Sequence, residues 1–192
     1  MTVGSEEDRR RLAQLIKDRA LRFGEFTLAS GQKSSYYIDG KQISLAGEGL
    51  HLLASQILEH LPPEVEAVGG MAIGADPIAG AVVALAATRG RDLDAFIVRK
   101  QPKERGTRQQ VEGPLKQGVR VAVLEDVITT GGSTLQAIEA LQREYDARVV
   151  CVITMVDRLQ GARENLAAAG FELISLFNIT ELGVTPPENP AP

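Results

Sequence analysis

Apolar positions recur at two different spacings along the chain, and the spacing changes near Pro62. Ahead of it, apolar residues lie three or four positions apart in residues 12–23 and again in residues 50–61, which predicts two amphipathic helices. A capping box at residues 5–8 precedes the first helix, which we expect to continue to Phe23. The second helix is expected to stop at Pro62. Between the helices, residues 26–28 and 36–39 predict two short strands around a turn at Ser30 and Gly31.

Beyond Pro63, short apolar runs alternate with helical stretches. The runs that predict strands lie near residues 66–70, 95–99, 119–125, 148–156 and 172–177. The helical stretches lie near residues 77–88, 133–145 and 162–169. This alternation predicts an α/β fold with a central, mainly parallel sheet flanked by helices, and the Val- and Ile-rich runs are typical of strands buried on both faces. We expect one domain over residues 1–192, with a small hood from about residues 1–45 and a frayed tail at residues 184–192.

Length, cysteine content and charge exclude several classes of protein to which the chain could belong. The 192 residues fit one domain. The single cysteine, Cys151, excludes an intrachain disulfide framework, and its apolar neighbours predict a buried strand thiol rather than a nucleophile. A net charge of −4 and a pI of about 5.3 disfavour a protein that binds nucleic acid. No apolar run approaches the roughly 20 residues of a membrane span. Residues 1–11 carry three acids (Glu6, Glu7 and Asp8) and lack the apolar stretch of a signal peptide. We expect a cytoplasmic domain that binds neither nucleic acid nor membranes.

The clearest candidate chemistry lies in residues 121–135, where a predicted strand is followed by a loop and a helix. The strand ends in two adjacent acids, Glu125 and Asp126, and small or hydroxyl-bearing residues 129–134 follow. Such a loop turns backbone N–H groups toward one anion, and the helix N-terminus adds its partial positive charge. Carboxylates beside a phosphate cradle suit a sugar phosphate, because they accept hydrogen bonds from ribose hydroxyls or hold a hydrated Mg²⁺. The alternative is an ordinary helix cap with acids at a strand end by coincidence.

Two further segments follow strands of the same predicted sheet. Residues 99–108 carry five basic side chains against one acid, and residues 101–118 show no periodicity. A loop of that length in a small domain is typical of a lid, and its basic groups suit a polyanion such as pyrophosphate; the alternative is a solvated basic loop. Residues 69–78 form a glycine-rich turn in which Asp76 is positioned to cap a helix beginning at Pro77.

Three other side chains suit a carboxylate-bearing ring. Arg158 follows a predicted strand, where a guanidinium can pair with a substrate carboxylate; a surface ion pair is the alternative. Tyr36 and Tyr37 can form a flat apolar wall, with core packing as the alternative. The two histidines, His51 and His60, fall on the second predicted helix, and we expect them on a solvated or packing face rather than in catalysis.

These segments together resemble a known family. Residues 121–135 resemble the phosphoribosyl-pyrophosphate (PRPP) motif of type I phosphoribosyltransferases. Residues 26–39 resemble the hood segment of orotate phosphoribosyltransferases, and residues 99–107, leading to 111–113, resemble their mobile catalytic loop. The resemblance implies the type I phosphoribosyltransferase fold. It also implies transfer of phosphoribose from PRPP to N1 of orotate, giving orotidine 5′-phosphate and pyrophosphate in de novo pyrimidine (UMP) biosynthesis.

The resemblance further implies roles for individual residues. The catalytic residues implied are Lys103, Arg105 and Asp126. The residues implied to bind PRPP are Arg99, Lys100, Lys103, Arg105, Glu125, Asp126, Val127, Ile128, Thr129, Thr130, Gly131, Gly132 and Ser133. Those implied to bind orotate are Thr129, Arg158 and Tyr37. Mg²⁺ is expected to be held mainly by PRPP and water rather than by a protein metal site. A homodimer that shares the catalytic loop across its interface is also implied.

The chain departs from the family pattern at three points. Arg105 stands where the loop usually has histidine, and Ala29 where the hood commonly has lysine. The turn at residues 69–78 resembles the family's pyrophosphate loop, with an ordinary strand-to-helix turn as the alternative, and Gly74 lies there where some members have lysine. Arginine keeps its proton in proteins, so Arg105 can neutralise pyrophosphate but cannot donate a proton, which leaves Lys103 as the better catalytic candidate. Two alternatives stay open: a type I enzyme for a purine base, and a PRPP-sensing regulator that binds nucleic acid through a basic face.

Overall fold

The computed structural model describes residues 6–27, 33–101 and 109–185. The helices are α1 (Glu6–Leu15), continued by a π-helical turn (Ile16–Ala20), α2 (Lys41–Ser44), α3 (Gly47–His60), α4 (Asp76–Thr88), α5 (Gly132–Tyr145) and α6 (Ala162–Ala168). The strands are β1 (Leu21–Thr27), β2 (Lys33–Ile38), β3 (Ala67–Met71), β4 (Asp94–Val98), β5 (Val111–Glu112), β6 (Arg120–Ile128), β7 (Arg148–Asp157) and β8 (Leu173–Asn178).

Six strands form the central sheet in the order β5-β4-β3-β6-β7-β8. Every neighbouring pair is parallel except β4 and β5, which pair antiparallel at one edge. The predicted α/β class with a mainly parallel central sheet is therefore confirmed. β1 and β2 form a separate antiparallel hairpin, which corresponds to the predicted hood.

Alternation along β6 explains how one sheet supports two cores. Ala122 and Leu124 pack in the core that includes residues of α1, α3 and α4, whereas Val121 and Val123 pack in the core that includes residues of α5 and α6. Successive side chains of a strand point to opposite faces, so an uninterrupted apolar run fills both layers. Cys151 lies buried in β7, and burial, the main cause, raises the pKa of its thiol to about 12, which confirms the predicted buried thiol.

The first helix differs from its prediction. α1 and its π-helical turn end at Ala20, and the chain enters β1 at Leu21, so the expected helix to Phe23 is wrong. Leu21 pairs with Ile38 and Phe23 with Tyr36, and this strand pairing overrides the helical spacing. His51 and His60 are exposed on α3, as expected.

The predicted start of the frayed tail and the predicted end of the strand at residues 119–125 also differ from the structure. Val184 is buried and its N–H donates to the carbonyl oxygen of Ile179 (3.2 Å), so fraying does not begin at residue 184; residues 186–192 lie outside the described part. β6 runs through Ile128 instead of ending at Glu125, so both acids belong to the strand. In the described part of the chain, no helix is long and apolar enough to cross a membrane.

Glycines in β3 allow its neighbours to approach closely. A Cβ at Gly69 would overlap the carbonyl oxygen of Phe96 in β4, and one at Gly70 would overlap that of Leu124 in β6. Both obstacles are backbone atoms of paired strands, which cannot rotate away as a side chain can. The packing of β3 between β4 and β6 therefore depends on these two residues.

We expect Gly69→Ala to lower the free energy of unfolding by about 3 kcal/mol, because strand separation must relieve the overlap. Urea denaturation followed by circular dichroism measures this. Gly80→Ala is the matched control, since Gly80 is exposed inside α4 with nothing within 4 Å of the added methyl group. That control should gain about 1 kcal/mol from helix propensity. Equal stabilities for the two variants would contradict the close-approach account.

Candidate active site

A cavity of about 1360 Å³ opens at the carboxyl ends of β3, β4 and β6. This is the edge at which parallel α/β sheets bind ligands. Five residues predicted for the site contribute to its wall: Arg99, Lys100, Glu125, Asp126 and Ser133. Residues that the sequence analysis did not assign to PRPP or orotate also contribute, and these are Lys41, Met71, Ala72, Ile73, Gly74, Asp76, Ile97, Gln101 and Glu112.

Asp126 is the point at which three segments of the chain meet. A Cβ on Gly40 would lie 2.6 Å from its Oδ2, and a Cβ on Gly74 would lie 2.9 Å from its Oδ1. The segment between β2 and α2 and the loop after β3 therefore pack directly against this carboxylate. Any side chain at position 40 would overlap the carboxylate, so glycine is required there. Asp126 is only 7% exposed, yet it contributes to the cavity wall.

The partners of Asp126 include one residue that the sequence analysis missed. Its Oδ1 accepts a hydrogen bond from the Val127 N–H (2.8 Å), and its Oδ2 lies 3.6 Å from the Nζ atom of Lys41. Lys41 is the first residue of α2, and its own N–H donates to Oδ1 of Asp39 (3.2 Å). In the sequence, the only indication that Lys41 belongs to the site is its position directly after Asp39 and Gly40. The packing of the hood is needed to show that Lys41 pairs with Asp126.

Glu125 is held by the first turn of α5. Its Oε2 accepts hydrogen bonds from the hydroxyls of Thr134 (3.1 Å) and Ser133 (3.4 Å). Burial, with a smaller contribution from the charge of Asp126, raises the pKa of Glu125 to about 7. The two hydroxyls and Lys41 act in the opposite direction and lower this pKa. Glu125 therefore changes charge near neutral pH.

The loop between β6 and α5 has the form of an anion cradle. Gly131 adopts a positive φ of 80° as the N-cap of α5, and no side chain caps this helix. The first amide groups of α5 are thus left for a ligand rather than used by a capping side chain. Asn165 donates from Nδ2 to the carbonyl oxygen of Thr130 (2.9 Å) and so fixes the loop. Of the other predicted residues, Thr130, Gly132 and Ser133 are exposed, Val127 and Thr129 are half-buried, and Ile128 is buried.

The glycine-rich turn after β3 forms another part of the cavity wall. The Ala72 N–H donates to the carbonyl oxygen of Val98 (2.8 Å), and the Ala72–Ile73 peptide is cis. The expectation that Asp76 caps α4 is wrong, because Ala75 is the N-cap and no side-chain cap bond forms. Oδ1 of Asp76 is buried without a hydrogen-bond partner in the described residues, and burial raises the pKa of this carboxyl.

The basic loop is described only at its two ends. Arg99 and Lys100 are exposed beside the cavity, and the Arg99 guanidinium lies 3.7 Å from Oε1 of Glu112 in β5. Beyond Gln110, the chain pairs with β4 through β5, so residues 101–118 include a short strand that their sequence does not predict. Lys103 and Arg105 lie in residues 102–108, outside the described residues. Ala29, in residues 28–32, also lies outside them.

Arg158 lies beside the cradle rather than in the cavity wall. It is 6% exposed, and its backbone N–H donates to the carbonyl oxygen of Ile128 (3.1 Å). Burial rules out the surface ion pair that was the alternative for this residue. Its side chain meets Tyr36, which is fully buried, whereas Tyr37 is 43% exposed with its ring centroid 5.6 Å from that of Phe26. Core packing therefore describes Tyr36 but not Tyr37.

Metal-binding side chains are sparse in this part of the chain. Within residues 6–27, 33–101 and 109–185, no three His, Cys, Asp or Glu side chains are grouped closely enough to hold a metal ion. Four carboxylates line the cavity, those of Asp76, Glu112, Glu125 and Asp126, and oxygen ligands of this kind suit Mg²⁺.

The chain is similar to known proteins both in sequence and in structure. No family model matches the chain. Over 194 residues, the chain is 43% identical to the orotate phosphoribosyltransferase of Rhodopirellula baltica, an alignment that covers 96% of this chain and 100% of that protein. It is 49% identical over 172 residues to that of Thermosynechococcus vestitus, with 89% and 90% covered. The crystal structure of the Mycobacterium tuberculosis orotate phosphoribosyltransferase in complex with PRPP is similar, with a TM-score of 0.75, 35% identity, and 92% and 99% of the two chains covered.

The raised pKa of Glu125 predicts how stability depends on pH. The carboxyl is protonated in both folded and unfolded chains below its ordinary value of 4.5, and ionised in both above about 7. Between these values folding opposes ionisation, so the stability associated with the neutral carboxyl is lost as pH rises through about 7. Glu125→Gln should therefore melt several degrees above the wild type at pH 8 and close to it at pH 4.5.

Thermal melts at the two pH values measure this difference. Glu139→Gln is the control, because Glu139 is exposed on α5, and its melting temperature should stay close to that of the wild type. A Glu125→Gln melting temperature equal to that of the wild type at pH 8 would argue against a strained carboxylate.

Proposed function

The chain belongs to the orotate phosphoribosyltransferase family, and on that premise we propose that it transfers phosphoribose from PRPP to N1 of orotate, giving orotidine 5′-phosphate and pyrophosphate. The observation that carries this proposal is one continuous segment, in which Glu125 and Asp126 lie immediately before the uncapped N-terminus of α5 at the sheet's ligand-binding edge. Diol acceptors followed directly by an anion cradle suit a ribose 5-phosphate.

Each part of PRPP has a candidate partner. Asp126 and Glu125 accept hydrogen bonds from the ribose hydroxyls, and the amide groups and hydroxyls of residues 129–133 bind the 5-phosphate. Pyrophosphate lies toward the loop after β3 and toward Arg99 and Lys100 at the opposite wall. Lys103 and Arg105 are proposed to join them from the basic loop. The cavity wall thus holds both acceptors for a diol and donors for an anion.

The reaction itself needs charge stabilisation more than covalent chemistry. Nitrogen N1 of orotate attacks C1 of the ribose as the bond to pyrophosphate breaks, through an oxocarbenium-like transition state. Positive charge then develops on the ribose, beside Asp126 and Glu125, and negative charge develops on the leaving group, beside the basic residues. Fixed positions for both partners supply the rest of the acceleration. Glu125 accepts ribose hydrogen bonds best when ionised, so binding of PRPP should strengthen as pH rises through about 7.

Orotate differs from other pyrimidines by its carboxylate. Arg158 is proposed to bind that group, because a buried guanidinium beside the cradle offers paired donors to a planar carboxylate. Thr129 precedes the cradle, and the exposed ring of Tyr37 is proposed to cover one face of the base. Recognition of the carboxylate is what separates this proposal from a purine enzyme of the same fold.

The proposal includes Mg²⁺, a homodimer and a cytoplasmic location. Mg²⁺ bound with PRPP would neutralise charge on the pyrophosphate as it leaves. PRPP oxygens and water are expected to supply most of its ligands, and Glu125 and Asp126 are the protein residues that would hold its hydration shell. The basic loop of one subunit is proposed to act at the site of the other.

The direct test is consumption of orotate, followed by its ultraviolet absorbance, in the presence of PRPP and Mg²⁺. Adenine, hypoxanthine and uracil are assayed in parallel, and omission of Mg²⁺ tests its requirement. We expect turnover of orotate alone, with loss of activity when Mg²⁺ is removed. Turnover of a purine would favour the purine enzyme. PRPP binding without turnover of any base, together with salt-dependent binding of nucleic acid, would favour the regulator.

A further inference from the structure

Two polar side chains from distant parts of the chain are buried against each other beside the proposed orotate site. Tyr36 lies in β2 of the hood and is completely buried, and Arg158 follows β7 of the central sheet. The Arg158 Nε–H donates to the Tyr36 hydroxyl oxygen (3.1 Å). The Cζ atom of Arg158 also lies 4.8 Å from the centroid of the Tyr36 ring. Both a hydrogen bond and a cation–π contact therefore join the hood to this guanidinium.

The contact uses only part of the guanidinium. Nη2 of Arg158 is buried without a hydrogen-bond partner in the residues that the structure describes. The Leu159 N–H donates to Oδ1 of the adjacent acid, Asp157 (2.8 Å), and Oδ2 of Asp157 is also buried without a hydrogen-bond partner in the described residues. A buried N–H group without an acceptor carries a desolvation cost, and native proteins rarely tolerate one without a reason. In this arrangement Nε of Arg158 is occupied by Tyr36, and Nη2 is left for an acceptor outside the described residues.

We propose that Tyr36 is a positioning residue, which holds the Arg158 guanidinium so that its free edge meets the carboxylate of the base substrate. This inference rests on the proposed function, in which Arg158 binds orotate. The hydroxyl fixes rotation of the guanidinium through Nε, and the ring supports its plane. Both are needed because a bidentate pair with a carboxylate forms only when the two planes are aligned.

The hood backbone keeps Tyr36 itself in place. Tyr36 pairs with Phe23 across the hairpin, and its carbonyl oxygen accepts a hydrogen bond from the buried Ser34 hydroxyl (2.7 Å). The preference for a carboxylate-bearing base is therefore set partly by the hood rather than by the central sheet alone. A phenylalanine at this position would keep the packing and lose only the acceptor for Nε.

The test compares Tyr36→Phe with the wild type in steady-state kinetics and in calorimetric binding of orotate. Loss of a hydrogen bond to a charged group predicts a rise of about tenfold in KM and Kd for orotate. KM for PRPP and kcat should remain close to wild type, a split that general loosening of the fold would not produce. Tyr145→Phe is the control, because Tyr145 lies at the far end of α5, and it should leave both constants unchanged.

Coupling between the two residues gives an independent reading. If Tyr36 acts through Arg158, Tyr36→Phe should have little further effect in an Arg158→Lys background, which already lacks the Nε–H donor. Should Tyr36→Phe not fold, Ser34→Ala, which removes the hydrogen bond to the Tyr36 carbonyl oxygen, tests the same positioning and predicts a smaller rise in orotate KM with the KM for PRPP unchanged. An unchanged orotate KM in these variants, or additive effects in the double variant, would overturn the inference. Failure of the wild type to bind or turn over orotate would instead overturn the proposed function, and the inference with it.

Discussion

The buried carboxylate of Asp126 is the constraint on which the arrangement of the site depends. Gly40 and Gly74 approach it from the hood and from the loop after β3, and Lys41 balances its charge from 3.6 Å away. A charge taken out of water must be compensated, so the segments around it cannot shift independently. The ribose acceptors, the turn proposed for pyrophosphate and the hood are therefore fixed with respect to one another.

This arrangement places an energetic cost on the folded protein. Glu125 and Asp126 lie next to each other, and burial of Glu125 raises its pKa to about 7. The central sheet, with β6 buried on both faces, supplies the stability against which this cost is set. The N-terminus of α5, which no side chain caps, and the buried Nη2 of Arg158 follow the same logic, because each keeps N–H donors available to a ligand.

Local sequence patterns predict most of the fold and the acidic part of the site. Val- and Ile-rich runs and helical spacing identify the central strands and α3 to α6, and the acids with the following glycines identify the cradle. The patterns do not predict α2 or β5, which are four and two residues long, or the start of β1, where pairing with β2 overrides helical spacing. Sequence patterns give Lys41 no role and Tyr36 only that of a flat wall, because the contacts of both residues arise from the tertiary structure. Tyr36 and Arg158 are 122 residues apart.

Binding of PRPP to Asp126→Asn, measured by titration calorimetry with Mg²⁺ present, tests the central claim most directly. Asparagine preserves the shape between Gly40 and Gly74 and removes only the charge and one acceptor. The account predicts a loss of PRPP affinity of about tenfold or more in Asp126→Asn, with cooperative thermal unfolding retained. Asp94→Asn, at the exposed start of β4, is the control and should show no loss. Wild-type affinity in Asp126→Asn would contradict the claim that this carboxylate organises the site.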